Sequence, residues 1–250
     1  MCIISPPFSF AELCREYGVI AERRNLENRL VYGSYPEVVV SVGKEQRVLK
    51  LLADSFLFKD ILMLEEIKKP SLLMKILKAL ALQVGCEVSY TEIAQLVGSN
   101  KNTVEKYIDL LEKVFVVFTL PALSRNVRNE LKKGKKVYFC DNGIRNAVIG
   151  NFQPPGTRTD MGALWENYII GERIKYLSNE GLSAQKFFWR TTQKQEIDYV
   201  EDRDGVLHAF EFKWNPVKRA TISLTFKRAY PEHEFLTVTP GNYTQFLGIK

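Results

Sequence analysis

Apolar positions along this chain change period several times, and the changes mark out its elements. Phe8, Phe10, Leu13 and Tyr17 make one face of a short helix after Pro6-Pro7, and Gly33-Ser34-Tyr35-Pro36 marks a turn into another helical stretch. From Arg47 to Glu66, Leu51, Phe56, Phe58, Ile61 and Leu62 recur around the polar Lys59-Asp60 and predict one long helix. A second begins at Leu72, with Leu73, Ile76, Leu77, Leu80 and Val84 at helical spacing. After a strand-like Glu87-Val88-Ser89, residues 91–97 predict a short helix closed by Gly98. A longer helix follows over 101–114, striped by Val104, Tyr107, Ile108, Leu111 and Val114. Strands are expected over 115–120 and 136–139, with a polar loop between them.

The last third alternates differently. Residues 161–170 predict an amphipathic helix whose apolar stripe is Met161, Leu164, Trp165, Tyr168 and Ile169. Gln195–Val200 and Ala209–Lys213 then read with period two, which expects Ile197 and Tyr199 on one face with Phe210, Phe212 and Trp214. Glu196, Asp198, Glu211 and Lys213 take the other face. Between the two strands lies Asp204-Gly205, a strong signal for a two-residue hairpin turn. Such a turn pairs Arg203 with Val206, which sets Asp198 opposite Glu211 and Glu196 opposite Lys213.

That register has a chemical consequence. Side chains directly opposed in an antiparallel pair have Cβ atoms about 4.5–5.5 Å apart, where like charges destabilise the sheet. Two facing carboxylates therefore attract a cation, and a hard ion such as Mg²⁺ or Mn²⁺ suits them better than thiol or imidazole chemistry suits any site here. Lys213 would neutralise charge developing on a phosphate or orient attacking water. Glu166, at the edge of the helix stripe, is a third acidic candidate. The plainer alternative is a solvated sheet face with a Glu196–Lys213 ion pair.

The middle of the chain carries a second signal. Helix, short turn and helix over 91–114 resemble a helix-turn-helix, with Lys101, Asn102, Thr103 and Lys106 opening its second helix. The loop that follows is cationic. Arg125, Arg128, Lys132, Lys133, Lys135 and Lys136 are opposed within it only by Glu130, and such a hairpin can track phosphates. Its alternative is a solvated hairpin in a protein–protein joint. Arg190 and Gln195 are further candidates for positioning substrate.

Composition narrows the remaining classes. The 46% hydrophobic share is that of a globular protein, and a formal charge of +6 favours a polyanionic partner. Four cysteines without C-x-x-C spacing and only two histidines argue against structural zinc and for reduced thiols, hence a cytoplasmic protein. No apolar run reaches the roughly 18–20 residues that cross a membrane. With no phosphate-binding G-x-x-x-x-G-K-[ST] loop, ATP is not expected to bind this chain.

The order Glu166 on a helix, Asp198 on a strand, then Glu211-x-Lys213 on the next resembles the PD-(D/E)XK, or restriction-endonuclease-like, superfamily. That resemblance implies that Asp198 and Glu211 bind Mg²⁺, that Glu166 assists through metal or water, and that Lys213 supports the nucleophilic water. Nearly the whole chain is similar to a family of prokaryotic AAA-superfamily ATPases. The similarity is carried by Tyr32–Val39, Phe58–Ile61, Thr103–Glu112, Val137–Gly143 and Glu196–Val200, and it begins at Phe8–Leu13, just after the family's nucleotide-binding core. It implies helices, a winged helix and a C-terminal restriction-endonuclease-like domain.

The expected architecture is a mixture of α+β and α/β. It comprises a helical segment over residues 1–70, a winged helix over 71–150, and a nuclease-like domain with a mixed sheet over 151–250. The expected function is a nucleic-acid-associated module with a Mg²⁺-dependent phosphodiesterase site, in which Glu166, Asp198 and Glu211 are the metal ligands and Lys213 is the electrostatic or water-orienting residue. The alternative is a non-catalytic DNA-binding or regulatory region, with an ATPase module or a second copy as partner.

Overall fold

Local capping chemistry sets where the helices begin. In the computed structural model, which describes residues 6–64, 69–124 and 134–249, Ser9 and Glu12 form a reciprocal capping box that opens α1 (Phe10–Tyr17). Helices α2 (Val19–Arg24) and α3 (Leu26–Tyr32) follow, and α4 (Pro36–Val39) starts on Pro36, whose missing N–H costs nothing there. The expected long helix is α5 (Glu45–Leu64). Tyr17, placed on the buried face of α1 by its spacing, is exposed.

Helix α6 (Pro70–Leu82) buries Leu73, Ile76, Leu77 and Leu80, as the spacing predicts. After β1 (Glu87–Val88), Ser89 caps α7 (Tyr90–Val97), and Gly98 closes that helix in the left-handed conformation at φ 69°. Asn100 then caps α8 (Lys101–Lys113), its Oδ1 accepting the Thr103 N–H at 2.9 Å. Strands β2 (Val117–Pro121) and β3 (Lys135–Phe139) complete an antiparallel sheet in the order β1-β3-β2.

Asp141 caps α9 (Asn142–Ile149), and a single 3-10 turn at Pro155–Thr157 leads into α10 (Met161–Asn179). The second sheet contains β4 (Gln185–Arg190), β5 (Glu196–Arg203), β6 (Val206–Phe212) and β7 (His233–Val238), hydrogen-bonded in that order. It is mixed, because α11 (Leu224–Ala229) carries the chain across to make β7 parallel to β6. A last short helix, α12 (Tyr243–Phe246), packs Phe246 on Phe210 at 4.8 Å. The described residues thus make a mixed α+β fold with two sheets, and one parallel bridge, Ala122 to Phe188, joins them.

The β5–β6 hairpin turns at Asp204-Gly205, both at positive φ (53° and 83°), and Arg203 pairs with Val206 as the dipeptide predicts. On the other side of β5 the alternation breaks. Phe187 faces Val200 but Trp189 faces Ile197, so Asp198 and Tyr199 together stand against one residue of β4. This bulge separates Ile197 from Tyr199, which strict alternation places together. Ile197 joins Val200, Trp189 and Phe226 in a smaller cluster, whereas Tyr199 enters the main core with Phe210 and Phe212. That main core runs from Phe10 to Leu247 and draws on both sheets.

Candidate functional site

Three elements bring acidic groups together: α10 supplies Glu166, β5 supplies Asp198 and β6 supplies Glu211. The β5–β6 ladder pairs Tyr199 with Phe210, and its register continues to Asp198 and Glu211. Beyond that pair a side chain takes over from the backbone, as Asp198 Oδ2 accepts the Phe212 N–H at 2.9 Å. Helix α10 is fixed by its neighbour Asn167, which is buried and grips β3: Oδ1 accepts the Phe139 N–H at 2.7 Å, and Nδ2 donates to the Phe139 carbonyl at 3.0 Å. A buried amide satisfied on both sides holds Glu166 at a set height against β3.

Two lysines divide the acids between them. Lys213 Nζ lies 2.7 Å from Glu211 Oε2 and 3.9 Å from Asp198 Oδ2. Lys136, on β3, is almost fully buried at 2% exposure; its Nζ sits 3.2 Å from Glu166 Oε1 and 2.5 Å from Glu196 Oε1, over the Phe188 ring. Glu166 Oε1 also accepts the Tyr138 hydroxyl at 2.6 Å. The Glu196–Lys213 pair expected from the hairpin register is replaced by Glu196–Lys136, since a buried ammonium leaves water only where carboxylates surround it.

The electrostatics follow from burial and crowding. Burial, with Asp198 adding repulsion, raises Glu166 to about 7 against the pull of Lys136 and Tyr138. Glu211 is likewise raised to about 7, first by burial and then by the nearby Asp198. Burial pulls Lys213 down, but Glu211 and Asp198 outweigh it and hold the ammonium charged. Burial also disfavours the Lys136 charge, and Glu166 and Glu196 reverse that.

Among the described residues, no group of three or more His, Cys, Asp or Glu side chains is placed to hold a metal ion. The fit for a divalent cation therefore rests on two groups. Asp198 and Glu211 both face Lys213 Nζ, and a cation held between them would meet two hard oxygen donors, with water and phosphate left to fill its shell. Glu166 stands within electrostatic reach of Asp198 and Lys213, with one oxygen committed to Lys136 and Tyr138.

The nucleic-acid candidates are dispersed. Lys101 and Asn102 are exposed at the start of α8, and Asn102, Thr103 and Lys106 line one cleft of about 560 Å³. Arg125, Arg128, Lys132 and Lys133 lie outside the described residues. Lys135 is exposed, but Lys136 is turned inward to the acids. Arg190 lies 3.6 Å from Glu87 and 3.7 Å from Glu196, at the rim of the acidic cluster. Gln195 has a buried side-chain oxygen with no hydrogen-bond partner among the described residues.

Sequence reasoning missed Lys136, Tyr138 and Asn167 as parts of this site, and placed Glu196 on its face but with Lys213 as partner. Two of them left a trace, because Lys136 and Tyr138 are two residues apart on a strand and so share a face. Asn167 left none. Among the described residues, no helix is long and apolar enough to cross a membrane.

Comparison with known proteins places the chain among uncharacterised relatives. An uncharacterized protein of Haemophilus influenzae is 27% identical over 223 residues, covering 84% of this chain and 53% of its own length. Uncharacterized proteins of Mycobacterium tuberculosis and Mycobacterium bovis are each 25% identical over 127 residues, which cover 50% of this chain and 28% of theirs. The chain thus spans about half the length, or less, of these relatives. No solved structure matches it. Residues 161–248 match DUF4143, a domain of unknown function. Residues 23–154 match DUF8612, also described as a domain of unknown function, and the chain belongs to that family.

Proposed function

We propose that this chain is a nucleic-acid-associated module with a Mg²⁺-dependent phosphodiesterase site at Asp198, Glu211, Lys213 and Glu166. The observation that carries the reading is a pair of carboxyl groups on adjacent strands flanking one ammonium, with Lys213 Nζ 2.7 Å from Glu211 Oε2 and 3.9 Å from Asp198 Oδ2. A divalent cation held by Asp198 and Glu211 would supply Lewis acidity at a scissile phosphate. Lys213 adds positive charge where charge grows on that phosphate. Glu166 is kept in place by Lys136, Tyr138 and the grip of Asn167 on β3, which orients a third carboxyl group toward the same cluster.

The arrangement agrees with the restriction-endonuclease-like pattern in its order of elements. Helices α6–α8 with the β1-β3-β2 sheet have the order of a winged helix. The greater length of the curated relatives leaves room for an ATPase module of the AAA type, to which this region would be attached.

Lys136 favours a second reading, in which the same fold binds nucleic acid without cutting it. Its buried ammonium already neutralises Glu166 and Glu196, so the inner part of the cluster is balanced by the protein's own charge. Incubating plasmid and oligonucleotide with Mg²⁺ or Mn²⁺ separates the two. Cleavage that disappears in Asp198→Ala and Lys213→Ala is the expected result. Pure wild-type protein that binds but never cuts with either ion leaves only the second reading.

A further inference from the structure

A cleft of about 620 Å³ is used by none of these assignments. Its walls include Arg23 and Arg24 from α2, Trp214 and Pro216 from the segment after β6, and Tyr243 from α12. Trp214 directly follows Lys213, and its ring lies 5.7 Å from Trp165, the residue before Glu166.

Charge and ring chemistry point the same way. Arg23 and Arg24 are exposed, and neither pairs with an acidic side chain among the described residues. Glu27 is the one acidic residue among those lining the cleft. From Pro216 the chain runs on through exposed Lys218 and Arg219. Trp214 is only half-buried, so part of the indole remains open next to these cations. The Tyr243 hydroxyl is buried without a hydrogen-bond partner among the described residues, a cost that a polar ligand or a water reaching it would offset.

Successive cations with an aromatic ring between them are the pattern by which proteins hold single strands without reading their sequence: cations follow the phosphates and a base stacks on the ring. We propose that this cleft is a single-strand nucleic-acid subsite, with Arg23 and Arg24 on phosphates and Trp214 stacking a base. The subsite rests on the nucleic-acid reading above. It deepens that reading by naming an unpaired strand as the ligand. Neither arginine has a part in the acidic cluster, so binding here does not require the metal.

Anisotropy of a fluorescein-labelled oligothymidylate, titrated in EDTA at several salt concentrations, tests it. Arg23→Gln/Arg24→Gln is expected to weaken binding about tenfold and to reduce the magnitude of the salt slope by about 1.4, at about 0.7 for each phosphate no longer neutralised. Trp214→Leu is expected to weaken binding by about tenfold, while Trp214→Phe keeps most of it because a ring remains. Thermal melts of each variant confirm that the fold is intact, and the exposed arginines make their double variant the decisive one. No binding by the wild type, or a double glutamine variant with unchanged affinity and salt slope, overturns the subsite. Cleavage assays keep the two proposals apart. If the cleft variants weaken binding but Mg²⁺ gives no cutting, the subsite stands and cleavage falls. If the cleft variants bind and cut like the wild type, cleavage stands and the subsite falls.

Discussion

Glu211 shows how burial and a neighbouring acid act on one side chain. Its carboxyl is raised to about 7 from an ordinary value of 4.5, first by burial and then by Asp198, so the folded protein keeps a proton there that the unfolded chain gives up. The stabilising effect of that proton is fully present below pH 4.5 and is lost as pH rises through about 7. In metal-free buffer, thermal unfolding is therefore expected at lower temperature at about pH 8 than at about pH 5, and Glu211→Gln is expected to flatten that slope. A melting temperature that rises over the same window, or an unchanged slope in the variant, contradicts this account. At this scale the sequence was partly legible. Asp198, Glu211 and Lys213 could be brought together because Asp204-Gly205 fixes the register of the hairpin. Lys136 could not, because a lysine at the end of a basic run reads as a solvated loop cation until Glu166 and Glu196 are seen to surround it.

Between residue and molecule, two short segments far apart in the sequence turn out to be each other's partners. Gly33 ends α3 and Asp141 begins α9, and the Asp141 carboxylate accepts N–H groups from Ser34 at 2.8 Å and from Ile144 at 3.1 Å. One side chain thus caps a helix and holds the turn of another. The contact depends on glycine: a Cβ at position 33 would lie 2.1 Å from Asp141 Oδ1, and the backbone there, at φ 71° and ψ −157°, is a region essentially reserved for glycine. Gly33→Ala is expected to destabilise the fold by about 2–3 kcal/mol, measured by urea denaturation. A loss within experimental error would show that α3 and α9 do not depend on this approach. Helices were legible where a cap and apolar spacing agreed, as at Gly98. The bulge at Asp198-Tyr199 was not, because nothing in an alternating strand says where its partner inserts fewer residues.

For the whole molecule, the issue is whether the two matched regions, residues 23–154 and 161–248, unfold as separate bodies. Composition and element order suggest three successive units, but packing follows a different logic, since one core takes residues from Phe10 through Leu80, Val104 and Tyr138 to Trp165, Phe212 and Leu247. Polar links cross the same boundary. Asn167 grips the Phe139 backbone, Lys136 reaches Glu166 and Glu196, and Arg145 pairs with Asp160. Phe10 donates its N–H to Glu172 at 2.6 Å and stacks near Tyr243, tying the first helix to the last. Breaking either region alone would strand Lys136 and Glu166 without each other in an apolar setting, a large penalty for a partly folded state. Unfolding in urea is therefore expected to be a single transition. Tryptophan fluorescence reports only on the C-terminal region, because Trp165, Trp189 and Trp214 all lie there, whereas far-UV circular dichroism weights the many helices before residue 150. Coincident midpoints from the two probes are the expected result. Midpoints that separate would mean that the shared core adds little coupling, and that the acidic cluster is assembled at a joint able to open without unfolding either side.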